Sequence, residues 1–399
     1  MKQWPLRIAI FSTIIVCITA IYFTIFFLNN NDADNKEASV VNSQNYSEDK
    51  NAQHRYIIIS IDGKYTFANM EGERATDQLY DVLSVADNGM FYFKQGNVQG
   101  FLGENLQRVF VTEDIISTNA SEGFVIYSAN NKKGFIDITT GQKIGAAFDA
   151  VYDFSEGLAA VQIGNSTGFI NTFGELVIPC QFSNNAIYRF TSGICNVMTG
   201  SKEEGNLKAF YINKSGAKLF AKDFDYCMPF SEDRAFVNEN GYWYIIDTKG
   251  EKIGDMTFGP YTKTVPSIFK EGRAVVVKDG KYGIIDKDGQ YVVMPKYDLM
   301  SDISDGGVVF AQDGLFGYMD TNGNIIIAPR YENLSPFRKG LAVFLKDHKY
   351  GVIDRAATVV VNPEFEEITI LDNGLIKISL SSDHFRYVDK YGKTVYETE

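Results

Sequence analysis

The chain is short of the residues on which most enzymes and metalloproteins depend. Among 399 residues there are 4 cysteines, 3 histidines and 2 tryptophans. Cys17 lies in an apolar N-terminal stretch, which leaves Cys180, Cys195 and Cys227. An odd number excludes a full disulfide framework. Cys180 and Cys195 could pair in an oxidising compartment, although their apolar surroundings favour buried free thiols. His54, His348 and His384 have no metal-ligand spacing, and no nucleophile elbow, P-loop or dinucleotide fingerprint is present. No metal, no cofactor and no catalytic residue is therefore expected, and a His-dependent triad is argued against. Helical patterns of useful length are also missing, which removes most α/β enzyme folds. Basic residues are the minority: beyond Lys2 and Arg7, 36 basic residues face 50 acidic ones, a net charge of −14. That sign disfavours nucleic acid and anionic lipid as partners.

What is present is repetition. A glycine recurs at Gly89, Gly123, Gly157, Gly193, Gly272, Gly306, Gly340 and Gly374, with Asp233 in the remaining slot. The steps are 34, 34, 36, 40, 39, 34, 34 and 34 residues. From about Tyr56 onward this reads as about ten units of one β-rich repeat. Within a unit, a period-2 run such as Leu341 to Leu345 passes through a polar turn into Tyr350-Gly351-Val352-Ile353-Asp354, the pattern of a β-hairpin. A second turn of the form Asp/Asn-x-x-Gly follows, as in Asp286 with Gly289 and Asp320 with Gly323. An Asp or Asn at the first position can bond the backbone two residues on, so these residues read as structural. Eight residues after that glycine stands an aromatic, usually followed by an acid: Tyr297-Asp298, Tyr331-Glu332 and, where Ala357 replaces the glycine, Phe365-Glu366. Another aromatic lies three residues before the opening glycine in several units, as Phe154, Phe190, Phe269 and Phe337, and Phe230 before Asp233. Aromatics at constant repeat positions serve a core shared between thin units.

These residues carry a family resemblance. The progression Tyr282-Gly283-Ile284-Ile285-Asp286, the Asp-x-x-Gly turn, the Pro-x-Tyr-Asp step and Phe-x-x-Gly-Leu-Ala-x-Val resemble the WG (KWG) repeats of bacterial β-rich proteins, over about 340 residues. The namesake dipeptide is degenerate here, reading Tyr282-Gly283, Phe316-Gly317 and Tyr350-Gly351. The resemblance implies a binding or scaffolding surface and makes Gly283, Asp286, Gly289, Tyr297, Gly317, Asp320, Gly323, Tyr331, Gly351 and Asp354 structural repeat positions. The fold class expected is all-β, a tandem array of antiparallel repeats. Either a propeller or an open solenoid could house it; no strand exchange that would close a ring is evident, because the tenth unit lacks its last strand.

Ile8 to Leu28 is a 21-residue run without charge, long enough to cross a bilayer core of about 30 Å. Lys2 and Arg7 precede it and none follows closely, so the N-terminus is expected in the cytoplasm and the repeats outside. A cleavable signal peptide would have a shorter apolar region and a small-x-small site. Cys17 sits mid-run without the small residue a lipidated cysteine needs. The organisation expected is thus an anchor over 1–28, a flexible polar tether over 29–55 and a repeat domain over 56–399.

Units between Gly157 and Gly272 are longer, with extra residues at Ser201 to Leu207 and Gly259 to Pro266. They also hold Trp243 within Tyr242-Trp243-Tyr244. Insertions in repeats map to loops of a binding face, and Trp and Tyr dominate interaction hot spots. Tyr242, Trp243 and Tyr261 are therefore the candidate binding residues, although Trp243 aligns with the core position of Tyr282. The function expected is a membrane-tethered module that binds a protein or an envelope polymer without catalysis. An exported carbohydrate-binding or carbohydrate-active protein is the alternative, with acid pairs such as Glu203-Glu204, Glu366-Glu367 and Asp286-x-Asp288 to be weighed.

Overall fold

The computed structural model describes residues 39–40, 55–86, 89–183, 188–201, 204–259, 265–382 and 384–398. These residues form strands and turns and no α-helix. Among the described residues no helix is long and apolar enough to cross a membrane; Ile8 to Leu28, the expected anchor, lies outside them. The strands make ten sheets, numbered 1 to 10 here in chain order.

Sheets 8 and 9 show how one unit is built. Gly307–Gln312 and Leu315–Asp320 form a hairpin whose register runs from Gly307↔Asp320 to Gln312↔Leu315. Asp313 and Gly314 at its tip both have positive φ, 54° and 80°, as a tight two-residue hairpin turn requires. At the hairpin's far end the Asp320 carboxylate accepts the N–H groups of Asn322 and Asn324, at 2.9 and 2.8 Å. This fixes the next turn. Ile325–Tyr331 then runs back against the second hairpin strand. After the single residue Glu332 the chain continues as Asn333–Leu334, which pairs with Leu341–Lys346 of sheet 9. One strand thus serves two sheets.

Gly317 makes that geometry possible. The returning strand slips register beside it, and a Cβ placed on Gly317 would lie 2.5 Å from the carbonyl oxygen of Ile327. Gly283 meets Val293 in the same way, again at 2.5 Å. The glycine of the namesake dipeptide is there for close backbone approach. Its aromatic neighbour faces the aromatic at the end of the returning strand, Tyr282 opposite Tyr297 and Tyr350 opposite Phe365.

Each sheet packs on the next. Tyr318 and Tyr331 of sheet 8, for example, share a core with Phe337 and Phe344 of sheet 9. The series closes: Leu375 and Tyr387 of sheet 10 pack with Ile57, Ile59 and Ala68 of sheet 1. Asn373 Nδ2 also donates to the Tyr56 carbonyl at 3.3 Å. The arrangement is therefore propeller-like, and the open solenoid is set aside. Among the described residues no strand passes from sheet 10 to sheet 1, so side chains do the closing. Within the stretch 29–55 expected as a tether, Ser39–Val40 pairs with Arg108–Thr112 as a fifth strand of sheet 2.

Where a strand crosses between sheets, an acid joins them. Asp298 accepts Lys281 Nζ at 2.6 Å from the sheet behind and the Asp313 N–H at 3.0 Å from the hairpin turn ahead. Asp81 does this with Lys64 and Gly96, and Asp149 with Lys132 and Gly164. Asp225 takes Asn240 N–H at 2.7 Å with Lys208 at 3.6 Å. The complete joint follows sheets 1, 3, 5 and 7. At the corresponding lysine position, sheets 2, 4, 6 and 8 carry Val98, Ser166, Tyr242 and Leu315. The hydrogen bond from lysine, then that from the turn amide, holds Asp81, Asp149 and Asp298 below the usual carboxylate range.

A second series runs through the turns that open each unit. Glu122 accepts the N–H groups of Glu156 and Gly157 at 2.6 and 2.9 Å, and Glu156 accepts those of Ser192 and Gly193 at 2.6 and 2.9 Å. The serines beside them follow suit: Ser121 Oγ donates to the Phe154 carbonyl at 2.9 Å and Ser304 Oγ to that of Phe337 at 2.9 Å. Sheets are linked through both their crossings and their opening turns.

Two predictions concern stability. Ala357 stands in the turn position held elsewhere by glycine and has φ +63°. Ala357→Gly should stabilise the protein by about 1 kcal/mol, whereas Gly283→Ala should destabilise it by about 1–3 kcal/mol. Urea midpoints at constant m-value check both. The joints give a pH signature. A depressed carboxylate contributes stability above its unfolded value of about 3.9, and this is lost as pH falls through the folded value. Asp298→Asn should therefore lower the melting temperature at pH 7, and its deficit against the unmodified chain should shrink as the medium is taken below about pH 4.

Candidate binding site

The period-2 alternation of Tyr242–Asp247 separates the candidate residues. Tyr242 is 53% exposed, while Trp243 is 0% exposed among Phe236, Ile245, Phe258 and Phe269. Trp243 faces Phe258 as Tyr282 faces Tyr297. It is a core residue, and its role as a ligand contact is corrected accordingly: a fully buried ring presents no surface. Tyr261 lies outside the described residues. So do parts of both insertions. In the first, Ser201 N–H donates to Asn206 Oδ1 at 2.7 Å, and Asn206 Nδ2 donates to Glu204 at 2.9 Å.

Tyr242 borders a cleft of about 540 Å³, with Lys222, Glu239, Tyr244, Lys252 and Thr257 also in its lining. Lys222 comes from the segment after Lys208–Asn213 of sheet 5, and the others from sheet 6. Lys222 Nζ donates to Glu239 Oε2 at 2.7 Å and to Tyr244 Oη at 3.1 Å, and the Tyr244 hydroxyl donates to Glu239 at 3.2 Å. The Glu239 hydrogen bond raises the lysine above its ordinary range, and burial raises the Tyr244 phenol. Both lysines lie over the Tyr244 ring, Lys222 at 5.6 Å and Lys252 at 5.5 Å from its centre. The cleft therefore presents an exposed tyrosine face beside two ammonium groups and one engaged carboxylate. It can stack on and hydrogen-bond a polar ligand. Sequence reasoning missed Lys222, Glu239, Tyr244 and Lys252. Each occupies an ordinary strand or turn position, and only the packing of sheet 5 against sheet 6 unites them.

A second cleft of about 400 Å³ lies among the opening turns of sheets 7 to 10. Several of its charges are engaged within the fold: Asp305 accepts Gly340 N–H at 2.6 Å and pairs with Arg355, and Arg338 lies 3.9 Å from Asp372. The acid pairs weighed from the sequence are dispersed likewise. Glu366 pairs with Lys349 and Glu367 accepts Ser379 Oγ, while Asp286 caps its turn through the N–H groups of Asp288 and Gln290. Glu203 lies outside the described residues.

The structural repeat positions are accounted for by the same geometry. Gly283, Gly317 and Gly351 sit under the returning strand, and Gly289 and Gly323 have φ of 77° and 87°. Asp354 caps its turn as Asp286 and Asp320 do, accepting the N–H groups of Ala356 and Thr358. Tyr297 and Tyr331 are buried. Cys180, Cys195 and Cys227 are free thiols, and burial pushes Cys195 up to about 12. Among the described residues no group of three or more His, Cys, Asp or Glu could hold a metal ion.

No curated protein matches the chain. Among solved structures, the crystal structure of the eukaryotic initiation factor is similar with a TM-score of 0.51 at 10% identity. That match covers 86% of this chain and 94% of that one. Hsv2p of Kluyveromyces lactis matches with a TM-score of 0.33 at 13% identity over 59% of this chain and 91% of that one. The dihydro-heme d1 dehydrogenase NirN matches with a TM-score of 0.36 at 11% identity, over 100% and 86% respectively. Of these, the first supports a likeness of fold and nothing further. The family described as WG containing repeat matches at residues 134–166, 168–202, 210–243, 282–314, 316–350 and 350–380. Those segments make up about half of the sequence and coincide with the hairpins, turns and crossings described above, so the chain belongs to the WG repeat family.

Proposed function

We propose that the protein is a membrane-tethered, extracytoplasmic binding module, held by Ile8 to Leu28 and presenting its β-repeat ring to a protein or an envelope polymer. The observation that carries the reading is the Tyr242 cleft. The acids at the crossings, such as Asp149 and Asp298, are engaged there, whereas Tyr242 stands exposed where sheets 1, 3, 5 and 7 carry the joint lysine. Among the described residues the cleft lining holds one carboxylate, Glu239, already engaged by Lys222 and Tyr244. The acid pair of a glycosidase is not assembled there, which supports binding over hydrolysis. The anchor rests on the uncharged 21-residue run and the two basic residues before it, and the acidic balance favours a neutral or cationic partner.

Crosslinking and capture from an envelope extract, with the full chain in a membrane mimic, tests this. A specific protein or glycan should be recovered, and Tyr242→Ala should reduce its recovery about tenfold or more, as loss of an aromatic anchor does. Recovery unaffected by Tyr242→Ala would remove the cleft from the binding surface. Accessibility of residues 30–55 to an external protease in intact cells checks the topology.

A further inference from the structure

Sheet 6 departs from the repeat, and its departures meet at one place. In sheets 3, 4, 7, 8 and 9 the namesake glycine, Gly134, Gly168, Gly283, Gly317 or Gly351, lies under the returning strand. A Cβ there would stand 2.5 to 2.7 Å from a carbonyl oxygen of that strand. Sheet 6 carries Tyr244 in that place. Room for the ring comes from the returning strand. In sheet 7 the pairing passes from Tyr297 to Val293 as the facing strand goes from Tyr282 to Ile284. Over the same interval in sheet 6 it passes from Phe258 to Ile253, one residue more, and sheets 3, 4, 8 and 9 agree with sheet 7. Two further positions change with it. Tyr242 stands where sheets 5 and 7 have Lys208 and Lys281, and Lys222, two residues before Phe224, stands where later units have Pro295, Pro329 and Pro363. The positions are those of every unit and the residues in them are not. Tyr242, Tyr244 and Lys222 all line the same cleft, on the side where Tyr244 packs with Tyr211 and Phe224 of sheet 5; Trp243 faces the other way, towards sheet 7.

The floor of the cleft is the Tyr244 ring, with the ammonium groups of Lys222 and Lys252 at 5.6 and 5.5 Å from its centre. Glu239 holds Lys222, whereas Lys252 forms no ion pair among the described residues. A cationic ligand would meet two ammonium groups against one carboxylate, and an acid group would meet the reverse. The rim is polar. Both bonds to Glu239 fall on Oε2, which leaves Oε1 to accept, and Asn240 and Thr257 stand in the same lining. Tyr242 adds an exposed ring. A flat apolar face bordered by hydrogen-bonding groups complements a pyranose, whose C–H faces can stack while its hydroxyls project from the edge. The chain's net charge of −14 beyond Arg7 repels a uniformly anionic polymer. The two lysines act at contact, well inside the screening length of about 10 Å at 0.1 M salt. Acid groups on the ligand must therefore be sparse.

We propose that the cleft binds a sparsely acidic saccharide. A neutral pyranose stacks on Tyr242 with its hydroxyls on Glu239 Oε1 and Asn240, and a neighbouring carboxylate or phosphate pairs with Lys252. This deepens the proposed function and rests on the Tyr242 cleft being the binding surface.

Three trisaccharides test this, identical but for one terminal residue: a hexuronate, the hexose obtained by reducing its carboxyl group, and the 6-phosphate of that hexose. Each is titrated calorimetrically into the full chain in a membrane mimic. At least one acidic sugar should bind saturably and about tenfold or more tightly than the neutral one, a difference that a single charge-assisted contact supplies. The tighter of the two identifies the acid. Lys252→Ala, at an exposed side chain, should bring the acidic sugars down to the affinity of the neutral one, whereas Tyr242→Ala should weaken all three. The comparison among sugars needs no variant. Equal binding of the three, saturable binding of none, or an acid preference that survives Lys252→Ala overturns the proposal. Capture from the envelope extract then separates two failures. Capture that still falls with Tyr242→Ala keeps the binding surface and discards the acidic saccharide, while capture indifferent to Tyr242→Ala removes both.

Discussion

The fold depends on a strand that belongs to two sheets at once. A two-stranded hairpin of this length is at best marginally stable in water, and each unit here is little more than one hairpin and its return. Continuing the returning strand into the next sheet removes the choice of neighbour, because the covalent chain already carries the partner's first hydrogen bonds. The crossing acid completes the constraint. Asp298 lies 17 residues after Lys281 and 15 before Asp313, and the same spacing links Lys208, Asp225 and Asn240 in a longer unit. The extra residues at Ser201 to Leu207 stand just before Lys208, outside that interval. Insertions are tolerated where no such joint measures the chain.

The chemical period is two units, although the structural period is one. Lysine opens the second hairpin strand in sheets 1, 3, 5, 7 and 9, as Lys64, Lys132, Lys208, Lys281 and Lys349, and each pairs with the acid 17 residues on. The alternate sheets have no such lysine. Their crossings lack the ion pair, although Glu332 after sheet 8 still accepts the Asp347 N–H, and Tyr242 stands at a position where sheets 5 and 7 carry a cation.

Much of the fold was legible because it is repeated. The opening glycines, the Asp-x-x-Gly turn and the buried Tyr297 and Tyr331 follow from local rules that each copy restates. Gly283 was visible as a fixed position, but its reason, the Val293 carbonyl above it, depends on a register slip that no local rule supplies. The acid after each aromatic was visible too, whereas the Ser-Glu pairs at Ser121-Glu122, Ser155-Glu156 and Ser231-Glu232 were not singled out. Their partners lie in neighbouring turns and sheets, beyond the reach of the local turn rules by which the rest was read. Trp243 was ambiguous because a tryptophan suits both a core and a contact surface. Its place on the inward side of the strand, opposite Phe258, decides between them. The Tyr242 cleft was half legible: the tyrosine stood out, while Lys222 and Glu239 acquire meaning only when sheet 5 meets sheet 6.

Closure of the ring could not be read for a related reason. Sheets 1 through 10 are joined in succession by the chain itself, so each of those contacts is local in sequence. The contact of sheet 10 with sheet 1 spans the whole array: Asn373 and Tyr56 are 317 residues apart. It rests on side chains such as Leu375, Tyr387, Ile57 and Ile59, which any internal copy could equally present. In a nearest-neighbour array, stability accumulates along the chain and long-range contacts carry the largest loop-closure cost. The last junction to form is therefore the one with the least material to hold it, and the first place the ring would part.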